Sequence, residues 1–167
     1  MKKILLGILS ILLLFIAYIL FNTFTFKSAQ LVVEPVEKAE IPKGALENLQ
    51  KAIRLKTISF ENPQDFDSIP FVVFNAFLKS FYPLSDSLLN HQTFNEFSHL
   101  YEWKGTDSSL KPIILMGHID VVPIASPDKW SVDPFRAEIK DGKIWGRGTI
   151  DDKFSVIGIM ERVKQLF

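Results

Sequence analysis

The feature that most restricts this chain is the run Ile4–Phe21, in which only Gly7 and Ser10 fall outside the hydrophobic residue types. As an α-helix rising 1.5 Å per residue it spans roughly 27 Å, close to the hydrocarbon thickness of a bilayer. A helix packed on a soluble core is apolar on one stripe, whereas this run is apolar all round. Lys2 and Lys3 precede it, Asn22 and Thr23 end it, and bulky Phe24 and Phe26 follow. A cleaved signal peptide has a shorter apolar region and a small-residue cleavage site. Residues 1–27 therefore read as an uncleaved signal anchor, a transmembrane helix seated in the membrane through residues 4–21; a cleaved, secreted form is the alternative. Lys2 and Lys3 keep the N-terminus cytoplasmic, which places the remainder outside the cytoplasm.

Composition narrows that remainder. The first 27 residues hold Lys2, Lys3 and Lys27 and no acids, leaving 16 basic against 19 acidic residues beyond them. Such a balance offers no basic patch for nucleic acid. Cysteine is absent, which excludes disulfides and thiolate metal sites. Any metal must be held by histidine and carboxylates, a donor set that suits zinc or another divalent ion.

Residues 28–43, with Pro35 and Pro42, read as a tether, and 44–167 as the folded part. Leu46, Leu49 and Ile53 recur at helical spacing after Pro42, and Thr57-Ile58-Ser59 ends that helix. Ile69–Phe81 is a second helix, with Pro70 in its first turn and Pro83 as its stop. Two strands are predicted over 85–95 and 96–104, and a buried strand over Lys111–Met116. Ala137–Ile139 and Lys143–Trp145 flank Asp141-Gly142, a strong hairpin signal. A last helix runs from a cap at Asp152, with Val156, Met160, Val163 and Phe167 on its apolar face. This alternation predicts an α/β layered domain. His91 and His99 are expected at the surface.

Chemistry concentrates between Lys111 and Lys153. His118 follows the predicted strand Lys111–Met116, and ligands gather at the carboxyl ends of strands in open α/β sheets. Asp120, two residues on, can hold the second ring nitrogen of His118. His-x-Asp alone is more often a structural pair. Gly146-Arg147-Gly148 is a backbone turn, and Asp151 and Asp152 emerge where the last helix begins. Helix N-termini favour anions, so both acids can simply cap that helix. Asp152 is assigned that role, and Asp151 is the better ligand, since one carboxylate can bridge two metals.

The segments Gly117-His118-Ile119-Asp120-Val121-Val122-Pro123, Trp130-Ser131-Val132-Asp133-Pro134-Phe135 and Asp141-Gly142-Lys143-Ile144-Trp145-Gly146-Arg147-Gly148-Thr149-Ile150-Asp151-Asp152-Lys153 together resemble the zinc aminoacylase/carboxypeptidase family. Asp-Asp-Lys, and the Trp before Gly-Arg-Gly, are most similar to its carboxypeptidase S and N-acyl-amino-acid hydrolase branch. The likeness extends back over Ala52–Ser59 and forward to Phe167. It implies the N-terminal portion of a layered α/β zinc-hydrolase catalytic domain, preceded here by one transmembrane helix. It further implies that His118 binds one of two zinc ions and Asp120 orients His118. Asp151 bridges both ions and joins Asp152 through a cis peptide bond, and Arg147 and Lys153 support the turn; Gly146, Gly148 and Asp152 are the structural supports already read from the turn and the helix start. The substrate implied is a peptide or an N-acyl amino acid.

The family's general-base Glu, its neighbouring Glu ligand, a further acidic ligand and a distant His have no counterpart among these 167 residues. The 167-residue chain is therefore expected to bind zinc weakly and to catalyse negligibly. The alternatives are a non-catalytic membrane-anchored module, a truncated gene product, or an anchored binding domain unrelated to hydrolases.

Overall fold

A computed structural model describes all residues, Met1–Phe167, and divides into two compact units, Met1–Ala39 and Glu40–Phe167. The first unit is dominated by helix α1, Lys2–Thr25, which buries none of its residues. Its mean hydropathy reaches 3.0 over its most apolar stretch, so it is long and apolar enough to cross a membrane.

The second unit holds helices α2 (Ala45–Arg54), α3 (Ile69–Phe81), α4 (Pro83–Leu88) and α5 (Lys153–Gln165), and strands β1 (Asn90–Phe94), β2 (Ser98–Glu102), β3 (Glu138–Lys140) and β4 (Lys143–Trp145). Each strand pair is a separate antiparallel ribbon, β1 with β2 and β3 with β4. The core lies among the helices: Leu49, Ala52 and Ile53 of α2 meet Phe74, Phe77 and Leu78 of α3, and Ile157 and Met160 of α5, with Tyr82 filling the gap. The chain is thus a mixed helix and strand structure, as the sequence predicts.

Several local expectations hold. α3 has the predicted bounds, and its phenylalanines recur at helical spacing on the buried face. The Asp141-Gly142 hairpin forms with both residues at positive φ, 54° and 70°, as a two-residue type I′ turn requires.

Others are corrected. Lys111–Met116 is not a strand, and its apolar side chains are exposed, Ile113 at 87%. A strand needs a neighbour for its backbone groups, and this stretch has none. The nearest pairing comes later, where Ile58 and Val121 form an isolated parallel bridge. The predicted strand over 85–95 is in part helix: Pro83 stops α3, and its fixed φ also opens α4. Leu46 is 46% exposed, and its expected core place passes to Asn48. Phe167 is exposed and Val163 only half-buried; Lys153 and Glu161 are buried on α5 instead. His91 and His99, expected at the surface, are half-buried and bonded to each other.

Two buried polar groups tie the helices together. Lys153 Nζ donates to Ala52 O at 2.9 Å and Leu55 O at 2.5 Å, closing the C-terminal end of α2. Burial pushes the Lys153 ammonium down to about 7, opposed by the Asp120 charge. Glu161 Oε1 accepts from Asn48 Nδ2 at 2.6 Å and from Tyr82 Oη at 2.8 Å.

Candidate metal centre

The loop that carries His118 is fastened at three points. Thr57 Oγ1, fully buried, donates to Ile119 O at 2.5 Å. Ser59 N donates to Val121 O, and Val121 N to Thr57 O. Before the histidine, Gly117 packs so tightly on α5 that a Cβ there would lie 2.8 Å from Val156 Cγ2 and 3.1 Å from Asp152 Oδ2. The chain can pass between helix and aspartate only because no side chain is present.

Asp152 stands at the N-cap position of α5 as predicted, but its side chain caps nothing. Oδ2 accepts instead from His118 N at 3.2 Å. The carboxylate therefore joins the start of α5 to the histidine loop, a more specific support than the capping role that sequence suggests. The Asp151–Asp152 bond is cis, as the resemblance implies.

His118 lies between two carboxylates. Nδ1 is 3.2 Å from Asp120 Oδ1 and 3.0 Å from Asp120 O, while Nε2 is 3.0 Å from Asp151 Oδ1. Burial works against the charged ring, but the Asp120 carbonyl and the Asp151 and Asp120 carboxylates outweigh it, and the His118 pKa is raised. The site is open, with the Asp151 side chain 89% exposed and that of His118 50% exposed.

With Asp120 holding a hydrogen on Nδ1, a metal ion would take the place of the Nε2 hydrogen that faces Asp151, the arrangement in which histidine binds a metal. Nε2 and Asp151 Oδ1 stand 3.0 Å apart, which puts an imidazole nitrogen and a carboxylate oxygen side by side. The donor types suit zinc. The pair does not amount to a complete ligand set, since no group of three or more His, Asp or Glu side chains is placed to hold a metal ion.

The glycine turn stands behind this pair. Arg147 N donates to Pro134 O at 2.7 Å, and its guanidinium lies 5.5 Å from the Trp130 ring. Gly146 abuts Ile53 of α2, and Gly148, at φ +86°, abuts Val121 and Lys153. These contacts link the second and third sequence segments through one packed turn. Sequence reading missed Thr57, whose hydroxyl positions the loop. A threonine after a helix is also an ordinary stop, so nothing in the local pattern marks it.

Comparison with known proteins places the chain among relatives. Residues 114–167 match the family described as Peptidase family M20/M25/M40. The chain is 41% identical over 174 residues to Probable carboxypeptidase S-like 2 of Dictyostelium discoideum, covering 99% of this chain and 32% of that protein. It is 38% identical over 161 residues to an N-fatty-acyl-amino acid synthase/hydrolase of Xenopus tropicalis, covering 90% of this chain and 31% of the relative. An uncharacterized carboxypeptidase of Schizosaccharomyces pombe is 32% identical over 142 residues, 80% of this chain and 24% of that protein. The chain thus spans about a third or less of the length of the curated relatives it matches. With its motif-bearing residues inside the matched segment, and relatives along most of its length, the chain belongs to the Peptidase family M20/M25/M40.

Proposed function

We propose that this chain supplies the His118–Asp151 side of a zinc-dependent hydrolase that cleaves the amide bond of a peptide or an N-acyl amino acid. The observation that carries the reading is the convergence of His118 Nε2 and Asp151 Oδ1 at 3.0 Å while Asp120 holds Nδ1. Relatives named for carboxypeptidase and N-fatty-acyl-amino acid hydrolase activity support the substrate class.

In this reading His118 and Asp151 would hold a zinc ion, or another divalent metal, and Asp151 would serve as a ligand to both ions of a pair. Asp120 fixes the ring tautomer, and Asp152, Gly146, Arg147 and Gly148 hold the loop and turn in place. When bound there, a divalent ion would supply Lewis-acid polarisation of the amide carbonyl and activation of water. The remaining ligands and the general base come from outside these 167 residues, so the chain by itself binds zinc weakly and hydrolyses negligibly. The layered α/β fold of the catalytic domain belongs to the same proposal, with the unpaired apolar stretch Lys111–Met116 as the place where it is completed. Helix α1 anchors the protein, with the N-terminus cytoplasmic and the catalytic part outside.

The test measures zinc content and hydrolysis of a dipeptide and an N-acyl amino acid by a polypeptide of the relatives' full length. His118→Ala and Asp151→Ala are each expected to lower both, with activity falling at least about 100-fold. Unchanged activity in either variant would sink the site assignment.

A further inference from the structure

Away from the His118 loop, four side chains form one hydrogen-bonded chain. Asp86 Oδ1 lies 2.6 Å from His91 Nδ1, His91 Nε2 lies 2.9 Å from His99 Nδ1, and His99 Nε2 lies 2.8 Å from Asn75 Oδ1. Asn75 is on α3, Asp86 on α4, His91 on β1 and His99 on β2. In the hairpin register His91 faces Tyr101 and Thr93 faces His99, so the two histidines are diagonal neighbours on one face.

Both ends of this chain are acceptors. Asn75 Nδ2 donates to Glu96 O at 2.9 Å. Reversing the amide would set two acceptors against each other, so Oδ1 faces His99 Nε2, and that nitrogen must carry a hydrogen. The Asp86 carboxylate requires one on His91 Nδ1 in the same way. A neutral imidazole carries only one N–H. Two neutral rings would therefore point bare lone pairs at each other across 2.9 Å. Thr93 Oγ1, 3.5 Å and 3.4 Å from the facing nitrogens, is too distant to part them. One cation is missing from this count. The ring centroids are 5.1 Å apart, which keeps the facing nitrogens close to the line of ring centres. A proton fits on that line, whereas a metal ion would need both lone pairs bent toward a common apex.

We propose that His91 and His99 share one extra proton, and that this imidazole–imidazolium pair is a clasp fastening the β1–β2 hairpin to α3 and α4 only while it carries a single positive charge. Losing the proton opposes two lone pairs, and gaining another opposes two N–H groups and two charges. The surrounding groups favour one charge. Asp86 on α4 is the counter-ion in contact, and Lys79 on α3 reaches Asp86 Oδ2 only at 3.7 Å with its own side chain 76% exposed. Tyr101 on β2 stacks on the His91 ring at 4.2 Å, and Glu102 at the open end of the hairpin is occupied by Asn90. The His99 pKa is lowered, by burial first and by the charge of His91 second, with Asp86 opposing. A lowered folded value means that the folded chain binds fewer protons than the unfolded one in that range. Stability is therefore lost as pH falls from the ordinary histidine range through the folded value.

The test uses the whole chain in detergent micelles with ¹⁵N-labelled histidine, and follows the ring nitrogens from about pH 5 to 9, the range around histidine titration. His118→Gln identifies the third histidine. Near neutral pH the pair is expected to show three protonated nitrogens out of four, titrating as a unit. Asn75→Leu removes the outer acceptor, so His99 can donate from Nδ1 with no extra proton; the pair's apparent pKa should fall by about one to two units. Asn75→Asp, which keeps an acceptor and adds an anion, should move it upward. Two protonated nitrogens in the wild type at neutral pH would overturn the proposal. So would an apparent pKa indifferent to Asn75→Leu, or ring signals that respond to added Zn²⁺ rather than to pH.

Discussion

Glu161 gives the sharpest test of how this unit is held together. Its carboxylate is 3% exposed and accepts from Asn48 on α2 and from Tyr82 after α3, residues 6% and 1% exposed. Burial first, and Glu161 second, push the Tyr82 hydroxyl far above the tyrosine range, so it remains a donor at any working pH. Glu161→Leu orphans both donors at about 1–3 kcal/mol each, less about 1–2 kcal/mol for the leucine's own burial. The expected net loss lies between about 0 and 5 kcal/mol, centred on about 2–3 kcal/mol. Glu161→Gln keeps an acceptor and forfeits only the charge assistance, about 1 kcal/mol. Tyr82→Phe should cost stability in the wild type but recover about 1 kcal/mol in Glu161→Leu, because it removes a donor that has lost its partner. Urea unfolding of the chain in detergent micelles, read by tryptophan fluorescence, measures all four. Glu161 would not be the buried acceptor described if Glu161→Leu unfolded no earlier than Glu161→Gln, or if Tyr82→Phe cost the same in both backgrounds.

Two further outcomes follow from the site's supports. Gly148 sits at φ +86° with a would-be Cβ 2.8 Å from Val121 Cγ1, whereas Gly142, at φ +70°, faces open space. Gly148→Ala should therefore cost about 2–4 kcal/mol and Gly142→Ala only about 1–2 kcal/mol, compared by the same unfolding midpoints; equal costs would show that the close packing of the glycine turn is unimportant. Asp120→Asn in the full-length polypeptide should lower zinc affinity about 10- to 100-fold by chelator competition, and an unaltered affinity would remove Asp120 from the metal centre.

What could be read from the residue pattern was whatever depends on neighbours in sequence. Ile4–Phe21 declares a membrane-length helix because sixteen of eighteen adjacent residues are hydrophobic, and α3 declares itself through phenylalanines at helical spacing. Asp141-Gly142 forms its turn because two adjacent residues tolerate positive φ. The order of the motifs around His118 and Asp151 was equally legible, and the fold brings those two side chains together although 33 positions separate them. Legibility failed where burial is decided by distant partners. Lys111–Met116 has the composition of a buried strand, but composition cannot supply the neighbouring strand whose absence leaves it exposed. Lys153 looks like a surface cation until its ammonium meets Ala52 O and Leu55 O, some hundred residues earlier in the chain. Asp152 has the position of a cap, and only the tight approach of Gly117 shows that its carboxylate serves the histidine loop instead. His91 and His99 look like two unrelated surface residues, because their meaning lies in the hairpin register and in an asparagine one helix away. In each case the missed property is a hydrogen-bond count, and such a count can be closed only when every partner has been placed.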